Sequence, residues 1–317
     1  FETIELRLGT VRDELTVQDT HSGTTKIETF GGDDLIVVNA IIGDTTVMSG
    51  EGMDDVEIYT SLDEIADLPS TIEGLLTVDG GGGQSDDVYV FAGSTLESSD
   101  PDFDDRATLT SNTIRGLEMP DGIDYASFES LELSLGAGRD QLTIVSTHSG
   151  TTTVYGDAPQ NQIPSLDALF LRTDEFNIQS ISGPTSIFAG PGDDQIVVGT
   201  LAPAAGGTVD QISALLTLSG GDDSDTVNVD DTGDNTDNSG ILTDSKVTGL
   251  GMTGEIVYDT LEFLNIDLGS GADRFLIEQT LVGSTSLSTG SQGDTVNLWS
   301  IAGPTTVGTD AGDDTIN

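Results

Sequence analysis

The residues with the clearest chemical potential are aspartates set in glycine-rich turns. Gly31-Gly32-Asp33-Asp34-Leu35 is one such turn, Gly50-Glu51-Gly52-Met53-Asp54-Asp55-Val56 a second, and Gly190-Pro191-Gly192-Asp193-Asp194-Gln195-Ile196 a third. Gly136-Ala137-Gly138-Arg139-Asp140 and Gly269-Ser270-Gly271-Ala272-Asp273 have the same form. One Asp of each turn stands two places before the first apolar residue of an alternating run. These marker aspartates are Asp13, Asp34, Asp54, Asp86, Asp140, Asp174, Asp194, Asp225, Asp273, Asp294 and Asp314. Their closest spacings are 20 or 21 residues. Units stacked in register would bring Asp above Asp every ~4.8 Å. Like charges at that distance repel, and hard divalent cations relieve such repulsion well. Ca²⁺ takes about six to eight oxygens from carboxylates, carbonyls and water, and glycine lets the backbone turn its carbonyls toward an ion. The candidate ligands are Asp33, Asp34, Asp54, Asp55, Asp86, Asp140, Asp193, Asp194, Asp223, Asp225, Asp273, Asp294, Asp313 and Asp314.

The elements that must position these turns are short strands. Each marker is followed by apolar/polar alternation, the signature of a strand with one buried face. Midway between acidic turns lies a neutral one: Ser22-Gly23-Thr24-Thr25, Gly43-Asp44-Thr45-Thr46, Ser149-Gly150-Thr151-Thr152, Gly183-Pro184-Thr185, Gly283-Ser284-Thr285 or Gly303-Pro304-Thr305. Strand, acidic turn, strand and neutral turn fill one flattened coil. Such a coil buries its inner face only against neighbours, so the units come in arrays. The expected fold is all-β, a parallel β-solenoid of the β-helix or β-roll kind, with about 20–21 residues per coil and inserted loops.

A longer repeat overlies the coils. Phe1-Glu2-Thr3-Ile4-Glu5-Leu6 returns as Phe128-Glu129-Ser130-Leu131-Glu132-Leu133 and as Leu261-Glu262-Phe263-Leu264-Asn265-Ile266. The chain therefore divides into super-repeats at about 1–127, 128–260 and a partial 261–317 within one continuous solenoid. Extra length falls in polar stretches such as 98–105 and 156–166, and 61–72 has room for no more than a helical turn. Both ends look like cuts through a longer repetitive chain.

Composition sets the partners. The 317 residues carry 56 acids against 9 basic residues, a formal charge of −47. That excludes ordinary nucleic-acid binding, which needs clustered Lys and Arg, and opposes docking on anionic lipid. No stretch approaches the ~18 apolar residues of a membrane span. There is no Cys, so metal is the expected staple in place of disulfides.

The turns resemble the G-G-x-G-x-D-x-U-x calcium-binding repeats of the RTX (hemolysin-type) family of secreted β-roll proteins. Asp54, Asp140, Asp194 and Asp273 match the motif's aspartate with both glycines present; Asp34, Asp225, Asp294 and Asp314 match with one or both lost. The RTX repeat of nine residues arms both edges of a coil. Here one edge per coil is acidic, so the resemblance implies a one-sided ladder of Ca²⁺. Arg12, Arg139 and Arg274 adjoin markers and could substitute for an ion by pairing across a rung. Thr147–Thr153, Ser182-Gly183-Pro184-Thr185 and Lys246–Met252 also resemble tandem arrays of giant secreted proteins of bacteria and algae. These likenesses imply an extracellular or cell-surface structural segment of a filament, stalk or coat. Its partners would be divalent cations and neighbouring copies or segments of the same chain.

Other constellations are weaker. Thr25, Thr46, Thr152, Thr185, Thr285 and Thr305 recur at the neutral edge; a hydroxyl face for ice or polysaccharide is the functional alternative to a preference of Thr for strand ends. His21 and His148 occupy equivalent Thr-His-Ser-Gly turns, which favours turn residues over a zinc site or a catalytic base. Right-handed β-helix polysaccharide lyases and hydrolases share the expected architecture, but nine scattered basic residues offer little for their charged clusters. The expectation is a non-enzyme.

Overall fold

The computed structural model describes residues 1–60, 71–83, 85–92, 106–136, 138–157 and 173–317. Residues 61–70, 93–105 and 158–172, where inserted loops and a helical turn were expected, lie outside them. Every described element is a strand. The first eleven are β1 (Thr3–Arg7), β2 (Glu14–Val17), β3 (Thr24–Glu28), β4 (Leu35–Val38), β5 (Thr45–Met48), β6 (Asp55–Tyr59), β7 (Leu76–Asp79), β8 (Asp87–Phe91), β9 (Arg106–Leu109), β10 (Thr113–Gly116) and β11 (Met119–Ala126). The next eleven are β12 (Ser130–Ser134), β13 (Gln141–Ile144), β14 (Thr151–Tyr155), β15 (Glu175–Ile178), β16 (Thr185–Pro191), β17 (Gln195–Val198), β18 (Leu215–Asp222), β19 (Thr226–Asp230), β20 (Ser239–Leu242), β21 (Lys246–Gly249) and β22 (Glu255–Asp259). Six complete the chain: β23 (Phe263–Asp267), β24 (Arg274–Ile277), β25 (Ser284–Ser288), β26 (Thr295–Leu298), β27 (Thr305–Gly308) and β28 (Thr315–Ile316).

The architecture is a mostly parallel two-sheet β-solenoid, as the alternation required. Two compact units are distinguished, residues 1–141 with 148–167 and residues 142–147 with 168–317. In the first, one sheet runs β1-β3-β5-β7-β11-β10-β9 and the other β2-β4-β6-β8-β12-β14. In the second, one sheet runs β13-β15-β17-β19-β23-β25-β27 and the other β16-β18-β22-β21-β20-β24-β26-β28. β4 and β6 pair in register: Ile36 lies beside Val56 and Val38 beside Ile58. Val56, Val88 and Leu131 continue one inward row, and Ile58, Val90 and Leu133 the next. All of these are buried. β-Branched and Leu side chains suit such half-buried pleats, each contributing roughly 1.5–3 kcal/mol on burial.

The super-repeat has a structural meaning. Among the described residues eleven strands recur in the same order, and each set ends in a three-stranded antiparallel meander. In the first set β9, β10 and β11 pair antiparallel, and β11 then rejoins β7 in parallel. In the second, β20, β21 and β22 do the same, with β22 rejoining β18. A tyrosine pins each meander: Tyr125 Oη donates to the Thr110 carbonyl at 2.6 Å and Tyr258 Oη to that of Thr243 at 2.7 Å. Eight single strands plus one meander make an odd number of sheet crossings. After each meander, therefore, a strand type that lay in one sheet lies in the other.

Coil stacking leaves no room for side chains at the crossing glycines. Gly221 has φ +119°, and a Cβ there would collide with the carbonyl oxygen of Gly190 in the neighbouring coil. Gly221→Ala should therefore cost about 1–3 kcal/mol, measured as a lowered urea midpoint at unchanged slope.

Candidate functional site: the carboxylate ladders

At each acidic turn the marker's backbone N–H points toward the next coil, where the chain is turning and presents no strand carbonyl. Buried N–H groups need an acceptor, and the next marker's carboxylate supplies it. The N–H of Asp13 donates to Asp34 Oδ1 at 2.8 Å, that of Asp34 to Asp54 Oδ1 at 2.9 Å and that of Asp54 to Asp86 Oδ1 at 2.9 Å. In the second unit Asp174 donates to Asp194 at 2.7 Å and Asp194 to Asp225 at 2.9 Å. Further on, Asp273 donates to Asp294 at 2.8 Å and Asp294 to Asp314 at 3.0 Å. Asp34, Asp54, Asp86, Asp140, Asp194, Asp225, Asp273 and Asp294 are all buried, Asp54 completely.

A second ladder runs the opposite way on the outside. Asp33 Oδ1 accepts the Met53 N–H at 3.1 Å, Asp193 that of Ser224 at 3.1 Å, and Asp237 that of Ala272 at 2.9 Å. A consecutive Asp pair thus serves both neighbours, one carboxylate inward and one outward. Of the other candidates, Asp223 and Asp313 lie exposed in turns, Asp314 is half-buried, and Asp55 faces outward from β6.

Glutamate closes the inner ladder just past each super-repeat boundary. The N–H of Asp86 donates to Glu129 Oε2 and that of Asp225 to Glu262 Oε2, both at 2.9 Å. Neutral turns then stack on these glutamates: the Thr151 N–H donates to the Glu129 carbonyl and the Ser284 N–H to the Glu262 carbonyl. The sequence displayed this signal in Phe128-Glu129 and Leu261-Glu262 but not its meaning. Asn238 also escaped notice; its N–H donates to Asp273 Oδ1 at 2.8 Å. The expected one-sided ladder is corrected accordingly. Each coil has one acidic edge, but the odd number of crossings moves it. In the second unit Asp174, Asp194 and Asp225 precede β15, β17 and β19 of one sheet, whereas Asp273, Asp294 and Asp314 precede β24, β26 and β28 of the other.

The donor set does not make a calcium cradle from the inner carboxylates. One oxygen of each observed rung is taken by an N–H. The second oxygens of Asp34, Asp54, Asp86 and Asp225 are buried without a hydrogen-bond partner, and that of Asp294 accepts from Thr289 Oγ1 at 2.6 Å. Among the described residues no three His, Cys, Asp or Glu side chains are grouped to hold a metal ion. Arg12 pairs with exposed Glu14 at 3.0 Å rather than across its rung. Burial is the main reason the Asp54 and Asp273 carboxyls titrate above the usual carboxylate range. It pushes Asp86 up to about 6 and Asp225 up to about 7, with nearby Asp54 and Glu129, and Asp194 and Glu262, adding repulsion.

The neutral edge is built from inside as well. Thr25, Thr152, Thr185 and Thr285 are buried. In the second coil the inward residue is Thr45, not Thr46. Thr45 Oγ1 donates to the Gly43 carbonyl, Thr185 Oγ1 to that of Gly183 and Thr305 Oγ1 to that of Gly303, each at 3.0 Å. These hydroxyls close turns and form no outward face. His148 Nδ1 lies 3.3 Å from Thr152 Oγ1 and its ring meets Tyr125 edge-on at 6.0 Å; burial lowers its pKa. In the third super-repeat buried Leu281 holds the corresponding place, which marks the position as one of packing.

No family model matches the chain, and no curated protein matches it.

Two outcomes follow from the ladder. A carboxyl whose pKa rises on folding stabilises the fold fully below its unfolded pKa, near 4, and loses that contribution as pH rises through the folded value. Unfolding free energy should therefore fall steadily from about pH 4, less steeply above about 6, and level off once pH has passed about 7. Asp225→Asn keeps an acceptor for the Asp194 N–H and should reduce that slope, with Asp86 and Asp231 still titrating at about 6 and about 7, whereas Asp225→Ala should lie about 1–3 kcal/mol below Asp225→Asn at every pH; urea melts across pH distinguish them. Separately, His148→Leu should leave the melting temperature within a few degrees of the parent, as Leu281 implies.

Proposed function

We propose that the chain is a structural repeat segment of an extracellular or cell-surface assembly, a filament, stalk or coat, and that it performs no catalysis. The observation that carries this reading is the use of the conspicuous polar residues. The marker carboxylates bridge coil to coil, the edge hydroxyls close their own turns, and both recur from one super-repeat to the next. An active site is local and breaks the repeat; here the chemistry-bearing residues follow it. The −47 charge suits a surface held in water and away from phosphate-rich partners.

Calcium enters this proposal as a counter-ion. Asp33, Asp55, Asp193, Asp223 and Asp313, with the turn carbonyls, are the candidate ligands that remain on the outside. A second reading, a polysaccharide-binding adhesin, is favoured by one observation only, a cluster of outward aromatic rings on β6 and β8.

Far-UV circular dichroism in chelator, followed by Ca²⁺, Mg²⁺ and NaCl titrations, tests the role of cations. The β signal should be present in chelator at pH 5, with Ca²⁺ raising the melting temperature at pH 8 more than matched ionic strength does. A β signal that appears only on Ca²⁺ addition would make the turns obligatory metal sites. Immunogold labelling of the producing cells tests location; label confined to the cell interior would sink the proposal.

A further inference from the structure

In the first unit, one sheet differs from the sheet packed against it. Its strands β2, β4, β6, β8, β12 and β14 contain no Lys or Arg. Its outward residues at the centre are Asp55, Glu57 and Tyr59 on β6, Asp87, Tyr89 and Phe91 on β8, and Glu132 on β12. Register sets Asp55 directly beside Asp87, and Tyr89 between Glu57 and Glu132. Like charges directly opposite one another in a sheet are destabilising, and no strand of this sheet carries a cation; Arg12, in the turn before β2, offsets part of the repulsion at Asp55. The other sheet of the same unit behaves differently: there Arg7 meets Glu28 at 3.1 Å and Lys26 also pairs with Glu28.

The aromatic rings form an ordered row. Tyr59 and Phe91 stack at 4.9 Å with an interplanar angle of 21°, and Tyr89 lies 6.5 Å from Phe91 at 5°. Their hydroxyls hold the acids in place: Tyr59 Oη donates to Glu57 Oε2 at 3.2 Å and Tyr89 Oη to Asp87 Oδ2 at 3.5 Å. Burial by these rings and neighbours raises the pKa of Asp55, and of Glu132 likewise. The face is thus partly apolar and, on balance, anionic. Lys and Arg side chains have the complementary form, an aliphatic stem that covers apolar surface and a cationic head. A neutral sugar needs an open ring face on which to lie, and the mutual stacking of Tyr59 and Phe91 occupies one face of each.

We infer that this face docks a Lys- and Arg-rich protein segment, its stems along Tyr59, Tyr89 and Phe91 and its heads among Asp55, Glu57, Asp87 and Glu132. The test is fluorescence anisotropy of the whole chain with a labelled Arg/Lys-rich peptide, a Gln-substituted version of it, and a neutral cello-oligosaccharide. Asp55→Asn with Asp87→Asn, and Tyr89→Ala, should each weaken the basic peptide by about tenfold or more. Asp244→Asn with Asp259→Asn removes the same charge elsewhere and should change binding less than about twofold. Circular dichroism confirms that the variants remain folded. Equal weakening by both charge-removing pairs would reduce the effect to diffuse attraction and overturn the inference. So would absence of peptide binding at low salt, or binding of the oligosaccharide with no loss in the Asp55/Asp87 variant.

Discussion

The fold depends on finding an acceptor for each N–H that faces the next coil at a turn. Within strands the parallel ladder supplies carbonyls at every level. At the crossings the chain bends and the carbonyls turn away, yet coils still stack at strand spacing. Asp is short enough to reach back from the turn and ionic enough to make a strong acceptor. Its branch point also allows the adjacent Asp of a pair to face outward and serve the coil on the other side. Glycine is then required nearby because neighbouring backbones meet almost in contact, as at Gly221 and Gly190. The acidic composition, the glycine content and the spacing of about one coil are three results of one geometric demand.

That demand carries an electrostatic cost. A buried carboxylate with one unpartnered oxygen, as in Asp54 or Asp86, is poorly solvated when charged. Raised pKa values are the direct consequence, and the proton offers relief without an ion. The glutamates at 129 and 262 mark where a ladder ends: their longer side chains reach the last rung, and their own carbonyls receive the first neutral turn. The meander and this glutamate act together as a switch between edge types.

Much of this was legible in the sequence. Alternation after Asp34, Asp54 and Asp194 identified the strands, the 20–21-residue spacing identified the coil, and the Phe-Glu recurrence identified the super-repeat. The meanders were not, because β9–β11 and β20–β22 show the same short alternation as any other strands; only pairing direction sets them apart. The inward aim of the marker carboxylates was hidden for a similar reason. Asp two places before a buried residue falls on the same side of the pleat as that residue, but the turn's glycines invited an outward reading. Thr45 was misplaced by one residue because Thr45 and Thr46 are chemically identical and a single step reverses the face.

The odd number of crossings has one more effect, on how charge grows with length. Were every super-repeat to keep its acidic turns on one edge, each added repeat would lengthen a single column of carboxylates. Exchange of edges instead cuts the column after a few rungs, as in the second unit, where it passes from the turns before β15, β17 and β19 to those before β24, β26 and β28. The repulsion felt by any coil is then set by its own super-repeat. An array built this way could be extended by duplication without becoming less stable per coil.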